Sequence, residues 1–228
     1  MPTHLIATPQ RVVVLSNIAS YIQQLPGPRV KRVGIDGVDG AGKTVFADEL
    51  RSILLDRGCH VIRASVDGFH NPREVRYRLG RYSPDGFYLA SYNYEALITA
   101  LLKPLSPGGS RIYRLAVFDH FLDRPTEMPE LEAPLDAVLL FDGIFLHRPE
   151  LRLYWDLSVF LEVPFEISLP RGAARGEAWG DSDPASPSSR RYVDGQRRYL
   201  KECHPHDLAS IVVDNSSLSI PRVVRTLR

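Results

Sequence analysis

Apolar residues recur along this chain in two alternating rhythms. From 9 to 25, Val12, Val13, Leu15, Ile18, Ile22 and Leu25 fall at helical spacing, and Pro26-Gly27-Pro28 ends the run, so a helix is predicted over 9–25. A short apolar strand around Val33, Gly34 and Ile35 follows. Val45, Phe46, Leu50, Ile53 and Leu54 then return to helical spacing. His60 to Ser65 reads as a second strand, Tyr94 to Lys103 as a helix stopped by Pro104, and Ile112 to Phe118 as a strand. Val138-Leu139-Leu140-Phe141 is a continuous apolar run, the pattern of a strand buried on both faces in a parallel sheet. Leu157 to Val163 predicts a strand, Phe165 to Arg175 a helix, Tyr192 to Leu200 a helix, Ile211 to Val213 a strand and Ile220 to Leu227 a terminal helix. Strands alternating with helices imply an α/β fold, a parallel sheet with helices on both faces. Two polar stretches interrupt the alternation. One is a Gly-, Arg- and Tyr-rich loop over about 68–91, the other a Gly-, Ser- and Pro-rich segment over about 176–189 that predicts a small mobile lid. No repeat is visible, and one domain over 1–228 is expected.

Chemistry concentrates first between the strand at Val33 and the helix at Val45. Gly37-Val38-Asp39-Gly40-Ala41-Gly42-Lys43-Thr44 fits G-x-x-x-x-G-K-[ST] at every position, with the strand before it and the helix after it that a P-loop requires. Glycines let successive backbone N–H groups converge on a phosphate, and the helix N-terminus adds its partial positive charge. Lys43 is expected to reach the β and γ phosphates, and the Thr44 hydroxyl to bind Mg²⁺. The expected ligand is a nucleoside triphosphate. The Asn-Lys-x-Asp stretch that a GTPase would normally show is absent, which counts against a GTPase switch, and the choice between ATP and GTP stays open.

Composition narrows the partners. The 228 residues carry 28 basic and 27 acidic side chains, a balance that offers no reason to expect nucleic acid or a membrane surface. No signal-peptide-like segment and no apolar run near the ~18 residues of a membrane span occur, so a cytoplasmic location is expected. Cys59 and Cys203 stand apart, and Cys203-His204-Pro205-His206 is read as a helix end in preference to a metal site.

Two aspartates follow apolar strands, and ligands of open parallel sheets sit beyond the carboxyl ends of strands. Asp142 ends the Val138–Phe141 run where a carboxylate helps hold Mg²⁺. Asp67 opens Asp67-Gly68-Phe69-His70, where a carboxylate can accept the proton of an attacking hydroxyl. The alternative for each is a turn or cap residue.

G-x-x-x-x-G-K-T, a strand ending in Asp-Gly-Phe-His and a later run ending in Asp-Gly-Ile together resemble the uridine kinase family of small-metabolite P-loop kinases, near phosphoribulokinase and bacterial pantothenate kinase. The resemblance runs from Val33 to about Asn215. It implies Asp67 as the base for the acceptor hydroxyl, Asp142 as the acidic residue before Gly-Ile, and Phe118-Asp119, with His120 and Arg124, as the mid-chain acceptor strand. Phe69, His70 and Asp85 join the expected acceptor contacts. Arg171 and Arg175, at i, i+4 on one helix, match phosphate-clamping arginines, with Arg190 and Arg191 as further candidates after the lid. The sequence departs from the family at Ala90 and Asn93, where aspartates recognise the nucleoside. The expected activity is ATP-dependent, Mg²⁺-assisted phosphoryl transfer to a small-molecule acceptor, first of all a nucleoside. Pantothenate or a sugar-like alcohol, or a nucleotide-binding switch without kinase activity, are the alternatives. The oligomeric state, a homodimer included, is open.

Overall fold

The computed structural model of the protein describes residues 8–174, 183 and 186–226. In chain order the regular elements are α1 (Pro9–Gln23), β1 (Lys31–Gly37), α2 (Lys43–Asp56), β2 (Val61–Ser65), α3 (Arg73–Arg76), α4 (Pro84–Ala90), α5 (Tyr94–Leu97), β3 (Ile112–Tyr113), β4 (Phe118–Asp119), β5 (Arg124–Pro125), β6 (Leu131–Glu132), β7 (Val138–Asp142), β8 (Leu157–Glu162), α6 (Phe165–Ala173), α7 (Pro187–Cys203), α8 (Pro205–Leu208), β9 (Ile211–Asp214) and β10 (Arg222–Thr226). Six strands form one sheet in the order β10-β9-β8-β1-β7-β2, parallel except for β10. β1 lies between β7 and β8, with Ile35 level with both Asp142 and Val159. The chain leaves β1 toward one side of the sheet and later returns on the other. The crevice where a parallel sheet binds its ligands therefore opens at the end of β1.

β7 shows why the sheet needs helices on both faces. Val138 and Leu140 join Phe46 and Leu50 of α2 and Leu15 and Ile18 of α1 in one core cluster. Leu139 and Phe141 point the other way, into a second cluster with Phe69, Leu97 and Leu101. Alternate side chains of one strand thus fill two cores, so the sequence reads as an unbroken apolar run.

Several expected boundaries shift. The first helix ends at Gln23, and Val12 and Val13 face solvent while Arg11 turns inward. Arg11 is fully buried; its Nε donates to Glu49 Oε2 at 2.7 Å and its Nη1 to Asn215 Oδ1 at 3.1 Å and to the Leu218 carbonyl at 2.9 Å. The helix is rotated to satisfy that cation. The run Ile112 to Phe118 does not enter the main sheet; its ends form two-residue pairings, β3 with β6 and β4 with β5. The loop over 68–91 contains α3 and α4. The helix from Tyr94 continues past α5 into a wider π-type turn over Ile98–Leu102, the Lys103 N–H reaching back to the Ile98 carbonyl at 2.8 Å. At the C-terminus the predicted helix over 220–227 is instead β10, antiparallel to β9. Val223, Val224 and Thr226 are β-branched, and the open edge of β9 supplies the hydrogen bonds they need. Most of the predicted lid over 176–189 lies outside the described residues; Pro187–Ser189, within it, already belong to α7.

Arg11→Ala removes the cation that joins α1 to α2 and to the β9–β10 connection. Glu49 keeps some contact with water, so we expect a loss of about 2–3 kcal/mol in urea unfolding, below the ~3–5 kcal/mol of a fully buried pair. A loss under ~0.5 kcal/mol would mean that water replaces the pair without cost.

Candidate active site

The loop after β1 is shaped by close approach. Gly40 has φ +77°, and a Cβ there would lie 2.0 Å from the Ser168 carbonyl oxygen of α6. Gly42, at φ +91°, caps the N-terminus of α2. The Asn215 amide donates to the Ala41 carbonyl at 2.7 Å, so the buried Arg11–Asn215 pair supports the loop from below. From above, the Asp39 N–H donates to Gln196 Oε1 of α7 at 2.7 Å.

The strand that delivers the loop carries a buried carboxylate. Asp36 is fully buried; its Oδ1 accepts from the Gly37 N–H at 2.7 Å, and its Oδ2 accepts from His147 Nδ1 at 2.6 Å and from the Tyr199 hydroxyl. The Tyr199 oxygen in turn accepts from the His147 N–H at 3.0 Å. With its proton on Nδ1, His147 accepts through Nε2 from the Ser158 hydroxyl, 3.0 Å away. Asp36, His147 and Ser158 have the donor order of a nucleophilic triad, but Ser158 is buried in the sheet and this set serves the framework.

Lys43 folds back so that its ammonium donates to the Gly37 and Val38 carbonyls, both at 2.9 Å, with the Asp39 carboxylate at 4.0 Å. The Thr44 hydroxyl donates to Asp142 Oδ2 at 2.7 Å. Arg63 of β2 donates to Asp142 Oδ1 at 2.7 Å and to Asp48 at 2.8 Å. Asp142 is therefore clasped on both oxygens. Adjacent hydroxyl and carboxylate oxygens are hard donors of the kind Mg²⁺ takes alongside phosphate and water oxygens. Among the described residues no cluster of three or more His, Cys, Asp or Glu could hold a metal alone.

A cleft of about 910 Å³ runs from this loop to the segment between β2 and α5. Ser65 is level with Asp142 in the sheet, so Asp67, in the short turn that follows, opens into the same cleft as Lys43 and Thr44. Desolvation raises the Asp67 pKa above the ordinary carboxylate value; His120 and Lys43 oppose the rise and Asp142 adds to it. Burial lowers His70 to about 4, so its ring is neutral at pH 7. His70 stacks on His120 and meets Tyr92 at a tilt of 53°, each at 4.6 Å between ring centroids, with Nδ1 3.0 Å from the Asp67 carbonyl.

Of the residues expected at the site, Asp39, Gly40, Gly42, Lys43, Thr44, Asp67, His70, His120, Asp142 and Arg191 line this cleft. Others sit elsewhere. Phe69 is fully buried against Phe141, and Phe118 is buried in its short hairpin. Asp119 accepts from the Phe121 and Leu122 N–H groups as a turn residue, and Arg124 is exposed on the same hairpin. Asp85 pairs with Arg198 at 2.7 Å across the α4–α7 contact. Arg171 donates to the carbonyls of Asn215 and Ser216, bracing the β9–β10 connection behind the loop. Arg190 pairs with Asp194 at 3.7 Å, and Arg175 lies outside the described residues. Asn93 caps α5 through Ala96, a role Asn fills as well as Asp, and Ala90 is buried. Arg63 and Gln196 went unread in the sequence because nothing local marks them. Arg76, Tyr77 and Tyr82 belonged to a stretch whose arginine and tyrosine content was the available signal.

No protein-family model matches the chain. Curated relatives include a thymidylate kinase of Xanthomonas campestris, 30% identical over 152 residues, covering 64% of this chain and 62% of that protein. The chain thus spans less than two thirds of the length of these relatives. Among solved structures, a protein described as a possible uridine kinase from Bacillus stearothermophilus superposes with a TM-score of 0.68 at 22% identity, over 87% of this chain and 96% of that one. A D-glycerate 3-kinase from Cryptococcus neoformans gives 0.59 at 13% identity, over 96% and 98%. Phosphoribulokinase from Rhodobacter spheroides gives 0.54 at 14% identity, over 86% and 76%. The chain has the fold of uridine kinase-like and phosphoribulokinase-type P-loop kinases, as its motifs led one to expect. At these identities the likeness establishes the fold alone. No helix among the described residues is long and apolar enough to cross a membrane.

Gly40→Ala places a methyl group against the Ser168 carbonyl in a backbone conformation that L side chains rarely adopt. The strain is worth at least ~1–3 kcal/mol before any displacement of α6. We expect a lowered Tm and weakened binding of a fluorescent ATP analogue; wild-type values for both would show that α6 does not constrain the loop.

Proposed function

We propose that the protein transfers the γ-phosphoryl group of ATP, or of GTP, to a hydroxyl of a small metabolite. The observation that carries this reading is Asp67, a carboxylate with raised pKa in the same cleft as the P-loop lysine and threonine. A carboxylate there could also orient a water for hydrolysis; the space of about 910 Å³ beside it is what favours a bulkier acceptor.

In this reading the backbone N–H groups of 37–44 hold the triphosphate, and Lys43 leaves its own loop's carbonyls to meet the β and γ phosphates. Thr44 and Asp142 would hold Mg²⁺, which when bound neutralises charge on the phosphate oxygens. Asp67 accepts the proton as the acceptor oxygen attacks phosphorus and the bond to the β–γ bridging oxygen breaks, leaving the nucleoside diphosphate. Arg63 holds Asp142 from one side while Thr44 donates to it from the other. Arg175 and the lid over 176–189 remain candidates for closing on the transferring group.

The motif resemblance makes a nucleoside the first acceptor to test, with pantothenate and sugar-like alcohols next. ADP formation that depends on an added alcohol supports the kinase reading. ADP formation without any acceptor supports a switch protein, and binding without turnover a protein that has lost catalysis.

Lys43→Ala should preserve folding and reduce turnover by ~10²-fold or more; unchanged turnover in a folded variant would sink the reading. Asp67→Asn cannot take a proton, so kcat should fall ~10²–10⁴-fold while ATP affinity changes little. The base must be ionised, so the acid limb of kcat/KM should lie above the ordinary carboxylate range of ~4 and activity should fall as pH drops through it. A limb at or below that range would place the base elsewhere.

A further inference from the structure

The cleft wall formed by α3, the turn before α4 and the start of α7 presents four arginines, Arg73, Arg76, Arg81 and Arg191, and no carboxylate of these segments lines the cleft. Arg191, the one of the four that the sequence marked as a candidate, is the most buried. It is only 4% exposed, and among the described residues no carboxylate pairs with it. Its Nη1 donates to the Arg81 carbonyl at 2.7 Å, and its guanidinium lies 5.0 Å from the Tyr77 ring and 5.6 Å from Phe87. Arg76 sits 5.7 Å from the same Tyr77 ring; one nitrogen pairs with Asp123 at 3.0 Å, while its buried Nε has no hydrogen-bond partner. Burial lowers the Arg191 pKa, and the charge of Arg76 adds to that effect.

A buried guanidinium beside a second cation, without a counter-charge, is costly to the fold. Such an arrangement persists where a ligand supplies the negative charge. Arg191 is held by the 68–91 segment, through Tyr77, Arg81 and Phe87, and has no hydrogen bond to residues 37–44 among the described residues. The anion it meets therefore belongs on the acceptor side of the cleft. By contrast, the carboxylates at the P-loop end are already matched, Asp142 and Asp48 by Arg63 and Asp39 by Lys43.

We propose that the phosphoryl acceptor is an alcohol bearing an anionic group, a phosphate or a carboxylate, and that Arg191 and Arg76 bind that group. This rests on the kinase reading and selects among its acceptors. An uncharged nucleoside leaves Arg191 without a counter-charge and the buried Nε of Arg76 without an acceptor. The anion fixes the acceptor so that its hydroxyl, at the other end, faces Asp67.

The test uses the full chain with Mg²⁺-ATP and matched alcohols that differ in charge: ribulose and ribulose 5-phosphate, glycerol and D-glycerate, panthenol and pantothenate, with uridine as the neutral nucleoside. An anionic member should show kcat/KM ~10–100-fold above its neutral counterpart, and which pair responds separates phosphate from carboxylate. Uridine turned over as well as every anionic alcohol would overturn the proposal and leave the kinase reading standing. In parallel, with AMP-PNP and Mg²⁺ saturating the triphosphate site, calorimetry measures binding of inorganic phosphate and of acetate as probes. Wild type should bind at least one, and Arg191→Gln should weaken it ~10-fold or more, with less effect on AMP-PNP. No binding of either probe overturns the proposal. So does a variant that loses AMP-PNP and keeps the probe, since Arg191 would then serve the nucleotide. If Arg191→Gln does not fold, Arg76→Gln provides the same comparison. Absence of ADP with every alcohol, together with intact probe binding, would instead strike the kinase reading and leave the anion site in place.

Discussion

The arrangement depends on one buried carboxylate. Asp36 has no contact with water, and a charge in that position is tolerable only because the Gly37 N–H, His147 and Tyr199 all donate to it. Those three donors come from the P-loop entrance, the connection between β7 and β8, and α7. The same atom group that orients the first glycine of the loop therefore fixes the helix that carries Tyr192, Gln196 and Arg191 over the cleft. Removing the carboxylate would leave three donors unmet in the interior, a larger loss than any one bond represents.

From that anchor the two ends of the cleft are built differently. The P-loop end is made from backbone and from matched charges: Asn215 holds Ala41, Gln196 holds Asp39, and Arg63 and Thr44 hold Asp142. Rigidity there suits a ligand whose phosphate geometry does not vary. The other end, where we propose that the acceptor binds, is made from side chains on short helices and turns, with the rings of His70, Tyr92 and His120 in contact and cations in excess. Short helices have few internal bonds of their own, so this end takes its shape from the α4–α7 contact. Related folds with different acceptors would differ chiefly there, which is why likeness of fold does not name the substrate.

What the amino-acid order determined by itself was whatever its own neighbours decide. The P-loop is eight consecutive residues; the structure crowds its first glycine, Gly37, and crowds most of all Gly40, which the pattern leaves free. The continuous apolar run of β7 and the alternation of strand and helix predicted a parallel sheet covered on both faces, and with it the placement of Asp67 and Asp142 at strand ends. Short runs were less decisive: Val223 and Val224 fit helix and strand equally by spacing, and the free edge of β9 chose the strand. The tertiary structure alone decided which polar residues are interior. Arg11 reads as an exposed helix residue until Glu49 and Asn215 meet it from 38 and 204 positions away. Asp36 finds His147 and Tyr199 at separations of 111 and 163, Arg63 finds Asp142 at 79, and Arg191 finds the Arg81 carbonyl at 110. A charge in the interior is defined by partners distant in the chain, and no local pattern of residues encodes where those partners will be.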